Sequence, residues 1–443
     1  MDLRQYLKKL VELSALSKVK APVDSNLELA ALCRREFKKP NGGSALFFSS
    51  VDDGAIPVVA NLFGSYQRLG LLLHSNSLSH FSDKLSHYFK QQKGSARERL
   101  QLPGKFSAGA QTTLQLVEGF DLTRLPVIRS WPAEGGRYLT LALTLTQNPQ
   151  TGTMNLGLYR AQIISAHSLA VNFAPGSGAA EHLAVARESD KSLPISLILG
   201  SDPILFWLAA APLPKGCNEF AFCRALLNLD INLTQCISQP LQVPTDAEIV
   251  IEGEIRPDEV VVEGPFGNHT GQYVTRRDCP LMQVTAVRHR PQPILPVTVV
   301  GPPPSENVYL AKANEALIRE MFKIDYPQVT DLWMPQETFF HNVAILAIKP
   351  QTAAQVKELV YALWQESPFS NSRLLVLLDE DIAISSPTQS WWRTINRLKS
   401  ERVYQDNGRT AIDATGVDPS TLVVEDQQTQ ELLLQRQNEY DLT

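Results

Sequence analysis

The sequence predicts an α/β (α+β) protein in three pieces: an N-terminal α/β segment, a central split β-barrel and a C-terminal α/β domain with a parallel sheet. Three observations carry this. The chain has 443 residues, too many for one simple core. Between about 106 and 305 it breaks into short apolar runs separated by turn residues, the pattern of a β-rich domain. The last third returns to alternating strand and helix patterns, as in a βαβ unit. The pieces are expected at 1–105, 106–305 and 306–443.

In chain order, MDLRQYLKKLVELS sets Leu3, Leu7, Leu10 and Val11 at helical spacing and predicts an amphipathic first helix. Asp2 and Glu12 interrupt a signal-peptide reading. SNLE (25–28) has capping-box spacing, and Leu27, Ala30 and Ala31 begin a helical pattern after it. ALFFSS and IPVVANLFG read as strands, and SYQRLGLLL as the helix that follows. KQQKGSARERLQLPGK (90–105) is polar and closes on Pro-Gly, an exposed connection at a domain boundary. Then come TLQLVEG, RYLTLALTLTQ, MNLGLYRAQII, SLPISLILG, AEIVIEGEI, PLMQVTAV and ILPVTVVG. These runs have strand length, many alternate, and one helix around NEFAFCRALLN interrupts them, so a barrel or curled sheet is expected. Further on, ENVYLAKANEALIREMF and TAAQVKELVYALWQE predict helices, and VAILAIK and RLLVLLDED strands. The tail EDQQTQELLLQRQNEYDL carries Leu432, Leu433 and Leu434 in a polar helix that needs a docking surface, such as a second subunit.

Composition narrows the function. The formal net charge is -5 with acids and bases interspersed, and no basic block suits a nucleic-acid backbone. Five cysteines without C-x-x-C spacing argue against a disulfide framework and a structural zinc site. The most apolar run, ILFWLAAA (204–211), is too short to span a membrane. A soluble, cytoplasmic protein is expected. There is no P-loop, no G-x-S-x-G and no H-E-x-x-H.

The residues that carry chemistry lie in the middle piece. GSGAAE (176–181) is a small-residue turn, either an ordinary loop or a place where backbone N–H groups approach a phosphate. Asn155 and Arg160 lie five apart in MNLGLYR, on opposite faces if the strand stays regular. Arg160 is the one charge in an apolar strand and needs an anionic partner. Glu263, beside the tight turn of EGPFGN (263–268), is available. A structural ion pair and a functional one both account for them.

Together, MNLGLYR, NEF and EGPFGNHTGQY resemble the UbiD family of non-oxidative decarboxylases. NLFGSYQRL, GSDP, PLPKG, ILPVTVVGPPPSE, FFHNVAILAIK and AIDATG extend the resemblance over most of the chain, in family order. It implies a split-barrel domain holding prenylated FMN with a divalent metal (typically Mn2+) and K+, and a C-terminal domain that mediates oligomers, a dimer or hexamer. It implies a flavin prenyltransferase as cofactor supplier and an aromatic or α,β-unsaturated carboxylic acid as substrate, in a decarboxylation that can run toward carboxylation. Asn155 and Glu219 match the family's metal ligands. Arg160 matches the active-site arginine, with Leu158 and Tyr159 beside it at the cofactor, and Glu263 the first acid of the catalytic trio. Lys349 matches the lysine that reaches the cofactor phosphate, its plain alternative being a solvated strand-end lysine.

Two departures stand out. The family's proton-donating acid falls on Asn268, and an amide has no titratable proton. Where the family places arginine and histidine, residues 172–179 read NFAPGSGA. His182 lies just beyond, expected as an exposed helix residue, or as a substitute ligand if the loop is rearranged. His269 and His341 are candidates for the missing proton donor, each with a structural role as its alternative. The alternative function is a non-catalytic paralogue acting as an accessory subunit or binding module.

Overall fold

The computed structural model describes residues 1–102, 110–338, 342–416, 423 and 425–440. The chain forms two compact units: Met1–Pro327 with Met334–Val343, and Gln328–Trp333 with Ala344–Thr443.

In the first unit, helix Leu3–Glu12 starts on an Asp2–Gln5 capping box and buries Leu3, Tyr6, Leu7 and Leu10. Val11, at the edge of that stripe, is exposed. SNLE does not cap the next helix, Glu28–Phe37. Ser25 Oγ donates instead to Asp52 at 2.6 Å, a tertiary acceptor that displaces the local cap, and Leu27 takes the N-cap at φ 75°. The stretch expected as an exposed connection contains a helix, Ala96–Leu100, whose capping box joins Ser95 and Glu98 and which buries Ala96 and Leu100. Strands Leu16–Val19, Ala45–Phe48, Val58–Ala60 and Leu295–Val297 form a small sheet in that order. The ILPVTVVG strand therefore leaves the barrel and pairs in parallel with Val58–Ala60, buried along its length.

The barrel sheet has nine strands. Its main path runs Tyr138–Leu139, Ala161–Ser165, Ser168–Val171, Tyr273–His289, Ile249–Gly267, Leu193–Leu199, Leu143–Gln147 and Met154–Leu158. MNLGLYRAQII, expected as one strand, is two: one ends the path and the other lies second from the opposite end. Three Cα steps, about 11 Å at full stretch, join them. In a flat sheet six strand spacings, about 29 Å, would separate them. The sheet must therefore roll until its ends approach, with Tyr159 and Arg160 crossing the seam. Asn155 and Arg160 are thus not on opposite faces of one strand; a strand ends between them.

Three helices, Gly178–Glu188, Ile204–Ala210 and Glu219–Leu227, interrupt the barrel strands rather than the one expected. The second is buried along Ile204–Leu208, so its sequence shows no polar face to set a period. Helix Asn307–Asp325 joins the same core through Leu310, Ala313, Leu317 and Met321.

The second unit holds a sheet ordered Val329–Trp333, Val343–Ile348, Leu374–Asp379, Arg409–Asp413, Val403–Asp406. Leu374–Asp379 and Arg409–Asp413 run parallel, and the two edge strands pair antiparallel. Helix Gln427–Gln435 leaves Leu432, Leu433 and Leu434 exposed. All five cysteines are free and buried. Among the described residues no helix is long and apolar enough to cross a membrane.

Candidate active site at the barrel seam

Crossing the seam, the chain turns Arg160 toward the long strand Ile249–Gly267. Its Nε lies 2.8 Å from Glu263 Oε1 and its Nη2 2.9 Å from Oε2. This is the two-pronged fit of a guanidinium to a carboxylate. Glu263 is wholly buried, whereas the Arg160 side chain stays 24% exposed. The Arg160 Cζ sits 4.5 Å from the centre of the Phe266 ring. Asn172 Nδ2 adds a third hydrogen bond to Glu263, at 2.8 Å from Oε2. Arg276, opposite Glu263 in the ladder, donates from Nη1 to Phe173 O at 2.7 Å and to Asn172 Oδ1 at 3.4 Å. The charge that 172–179 lacks in sequence thus reaches Asn172 and Phe173 from the neighbouring strand.

The EGPFGN turn is fixed from behind. Gly264 has φ +103°, and a Cβ there would stand 2.6 Å from Val274 O. Its N–H donates to Gln162 Oε1 at 2.8 Å. Gly267 lies against Trp131, where a Cβ would meet the ring at 2.3 Å. Glu134 accepts from Gly267, Ser130 and Trp131 N–H groups; burial raises its pKa while these bonds oppose the rise. Asn268 then closes the strand pair: its N–H donates to Gln272 O, and its Oδ1 accepts from Thr270 N at 2.9 Å and Thr270 Oγ1 at 2.6 Å. The side chain in the acid position thus serves its own turn. His269 follows in that turn. His341 lies outside the described residues.

On the other side of Tyr159 is a cavity of about 430 Å³ whose lining includes Asn155, Tyr159, Ser177, His182 and Glu219. Glu219 opens a helix capped by Asn218 and is almost wholly buried. Burial pushes its carboxyl up to about 8, with two backbone N–H groups opposing. Tyr159 is likewise raised by burial, against hydrogen bonds to Ser177 and Asn155. GSGAAE forms the start of helix Gly178–Glu188, with Ser177 as its cap. Gly178 packs so closely that a Cβ there would lie 2.1 Å from Asn155 Oδ1.

His182 corrects the sequence reading: it is buried, not exposed. Its Nδ1 lies 2.9 Å from Thr146 Oγ1, and burial lowers its pKa to about 4, leaving a neutral imidazole. The signal was available in the stripe Ala179, Leu183, Ala186, which turns the same helix face inward. Asn172 and Arg276 carried no such signal, because their roles depend on strand register.

An amide oxygen, a carboxyl group and a neutral imidazole around one cavity suit a divalent cation, which would replace the proton that burial keeps on Glu219. Leu158 is half-buried and packs on the core. Lys349 follows strand Val343–Ile348 and is exposed; its phosphate role rests on the resemblance alone.

Models of the 3-octaprenyl-4-hydroxybenzoate carboxy-lyase (UbiD) N-terminal, Rift-related and C-terminal domains match residues 7–85, 105–303 and 308–420. An uncharacterized protein of Archaeoglobus fulgidus is 31% identical over 90% of this chain and 85% of its own length. Among solved structures, the UbiD-class enzyme HmfF from Pelotomaculum thermopropionicum, an evolved dimeric form in complex with prFMN, is 25% identical. It superposes with a TM-score of 0.82 over 97% of this chain and 98% of its own. The closed form of Sedimentibacter hydroxybenzoicus vanillic acid decarboxylase shares the fold, with a TM-score of 0.88 over 100% and 99% of the two chains at 22% identity.

Proposed function

The chain belongs to the UbiD family, and from that premise we propose that it is a decarboxylase of an aromatic or α,β-unsaturated carboxylic acid using prenylated FMN. The observation that carries the reading is the Arg160–Glu263 pair, buried on its acid side and partly open on its arginine side. Glu263 engages Nε and Nη2. Nη1 remains to meet a carboxylate, and the acid behind it holds the guanidinium plane still.

The cofactor, when bound, supplies an electron sink for the pair released from the breaking carbon–carbon bond. Carbon dioxide leaves, and a proton takes its place on the carbon. Asn268 cannot supply that proton, since it is an amide whose acceptor oxygen is already bonded to Thr270. Water is the donor that requires no further titratable side chain. Asn155 and Glu219, with His182, would hold the metal, Mn2+ in the family. Thr146 fixes the His182 ring through Nδ1. The cofactor would come from a flavin prenyltransferase, and K+ and a homo-oligomeric assembly belong to the same reading.

Co-expression with a flavin prenyltransferase tests it. Purified protein should carry prenylated FMN by mass and absorbance, and should release carbon dioxide from one member of a panel of aromatic and α,β-unsaturated acids. Protein that retains no flavin would sink the reading. A second reading, an accessory subunit without catalysis, draws on the engagement of Asn268 in its own turn; it predicts an empty flavin site together with a stable complex with another protein.

A further inference from the structure

Asn172 touches both halves of the Arg160–Glu263 pair. Its backbone N–H donates to Arg160 O at 3.1 Å, and its Nδ2 donates to Glu263 Oε2 at 2.8 Å. Its Oδ1 faces Arg276 Nη1 at 3.4 Å. A guanidinium only donates and a carboxylate only accepts, so these two neighbours fix which way the amide points. An aspartate in this place would set a second carboxylate against Glu263, and alanine would leave Glu263 Oε2 one donor short.

We propose that Asn172, held by Arg276, is a positioning residue that fixes the Glu263 carboxylate and thereby the angle at which Arg160 presents its free edge to the substrate carboxylate. This rests on the decarboxylase reading for its catalytic consequence but not for its geometry. The amide passes the donor character of Arg276 on to Glu263, so the acid is hydrogen-bonded from two sides, while the guanidinium is held on one edge by Glu263 and on its face by Phe266. Arg276 also donates to Phe173 O at 2.7 Å, which ties the 172–173 backbone to the strand opposite Glu263.

The test uses the full chain with Asn172→Ala and Asn172→Asp. The first readout needs no cofactor: arginine labelling by phenylglyoxal, mapped by peptide mass. Arg160 should label roughly fivefold faster in Asn172→Ala than in the parent, because one restraint on its partner is gone, while exposed Arg224 keeps its rate. Equal rates at Arg160 overturn the proposal. The second readout uses protein co-expressed with the prenyltransferase. Asn172→Ala should lose roughly tenfold in kcat with KM within about twofold, the pattern of misplacement rather than lost binding. In Asn172→Asp, kcat should fall as pH rises, since only the protonated acid can donate to Glu263. A pH profile identical to the parent's overturns the proposal. If Asn172→Ala does not fold, labelling of Asn172→Asp at low and high pH decides, read as the ratio of Arg160 to Arg224 because every arginine reacts faster in alkali; a ratio that rises with pH is expected, and a constant ratio overturns the proposal. A parent that binds no flavin defeats the decarboxylase reading, and the labelling comparison still decides the clamp.

Discussion

Two polar clusters flank Tyr159, and they differ in how complete they are. Around Glu263 the carboxylate has Arg160 on both oxygens and Asn172 on one. Around Glu219 an almost wholly buried carboxyl has two backbone N–H groups, and Lys215, the cation in the same cavity lining, pairs with Glu181 instead. The first cluster is finished by the chain itself. The second keeps its acid protonated up to about pH 8, a proton that a cation would replace. One cluster is therefore organised by folding, and in the proposed reading the other is completed by a cation.

The largest effect that would break this contrast is a pH response. Glu219 is raised from 4.5 to about 8 by burial, so between those values the folded state holds a proton that the unfolded chain has released. Stability of the metal-free protein should be full below pH 4.5 and fall as pH rises toward 8, by at most about 5 kcal/mol. Urea unfolding across that range measures it. Mn2+ should restore stability at the alkaline end, and Glu219→Gln should remove both the slope and the metal response. A flat profile in the parent would mean that Glu219 already has a partner.

Next in size is Glu263→Ala, which strands Arg160 and Asn172 together. About 3 kcal/mol of stability should be lost along with turnover. A variant as stable as the parent would show that this cluster is not organised by its acid. The smallest effect belongs to Asn268→Asp. Its carboxylate can keep both Thr270 bonds, so unfolding should shift by less than about 0.5 kcal/mol. Those bonds favour the ionised form, so any new limb in the pH–rate profile should appear only at or below the ordinary carboxylate range. A strong rise in kcat near neutral pH would instead identify the turn as the point of proton delivery.

Much of this was legible in the sequence because it is local. Glycines in EGPFGN announce a tight turn, and an arginine alone in an apolar run announces a buried partner. What escaped was set by register and closure. MNLGLYRAQII reads as one strand because nothing in its composition marks where a sheet seam falls, yet the break at Tyr159–Arg160 is what separates the two clusters. ILPVTVVG has the apolar content of any buried strand, and only parallel pairing with Val58–Ala60 assigns it to the other sheet. SNLE lost its cap to Asp52, twenty-seven residues from Ser25. His182 was misread for a different reason, since its apolar neighbours already marked the inward face of the helix.

Gly178 has a consequence for inheritance. The space its missing side chain would fill is held by the amide oxygen of Asn155, 2.1 Å away. A single Gly178→Ala lesion would therefore displace a proposed ligand without altering one, and the gene would still encode asparagine, histidine and glutamate at 155, 182 and 219. If the proposed centre holds a metal, a lineage could lose it this way and keep every letter by which the centre is recognised.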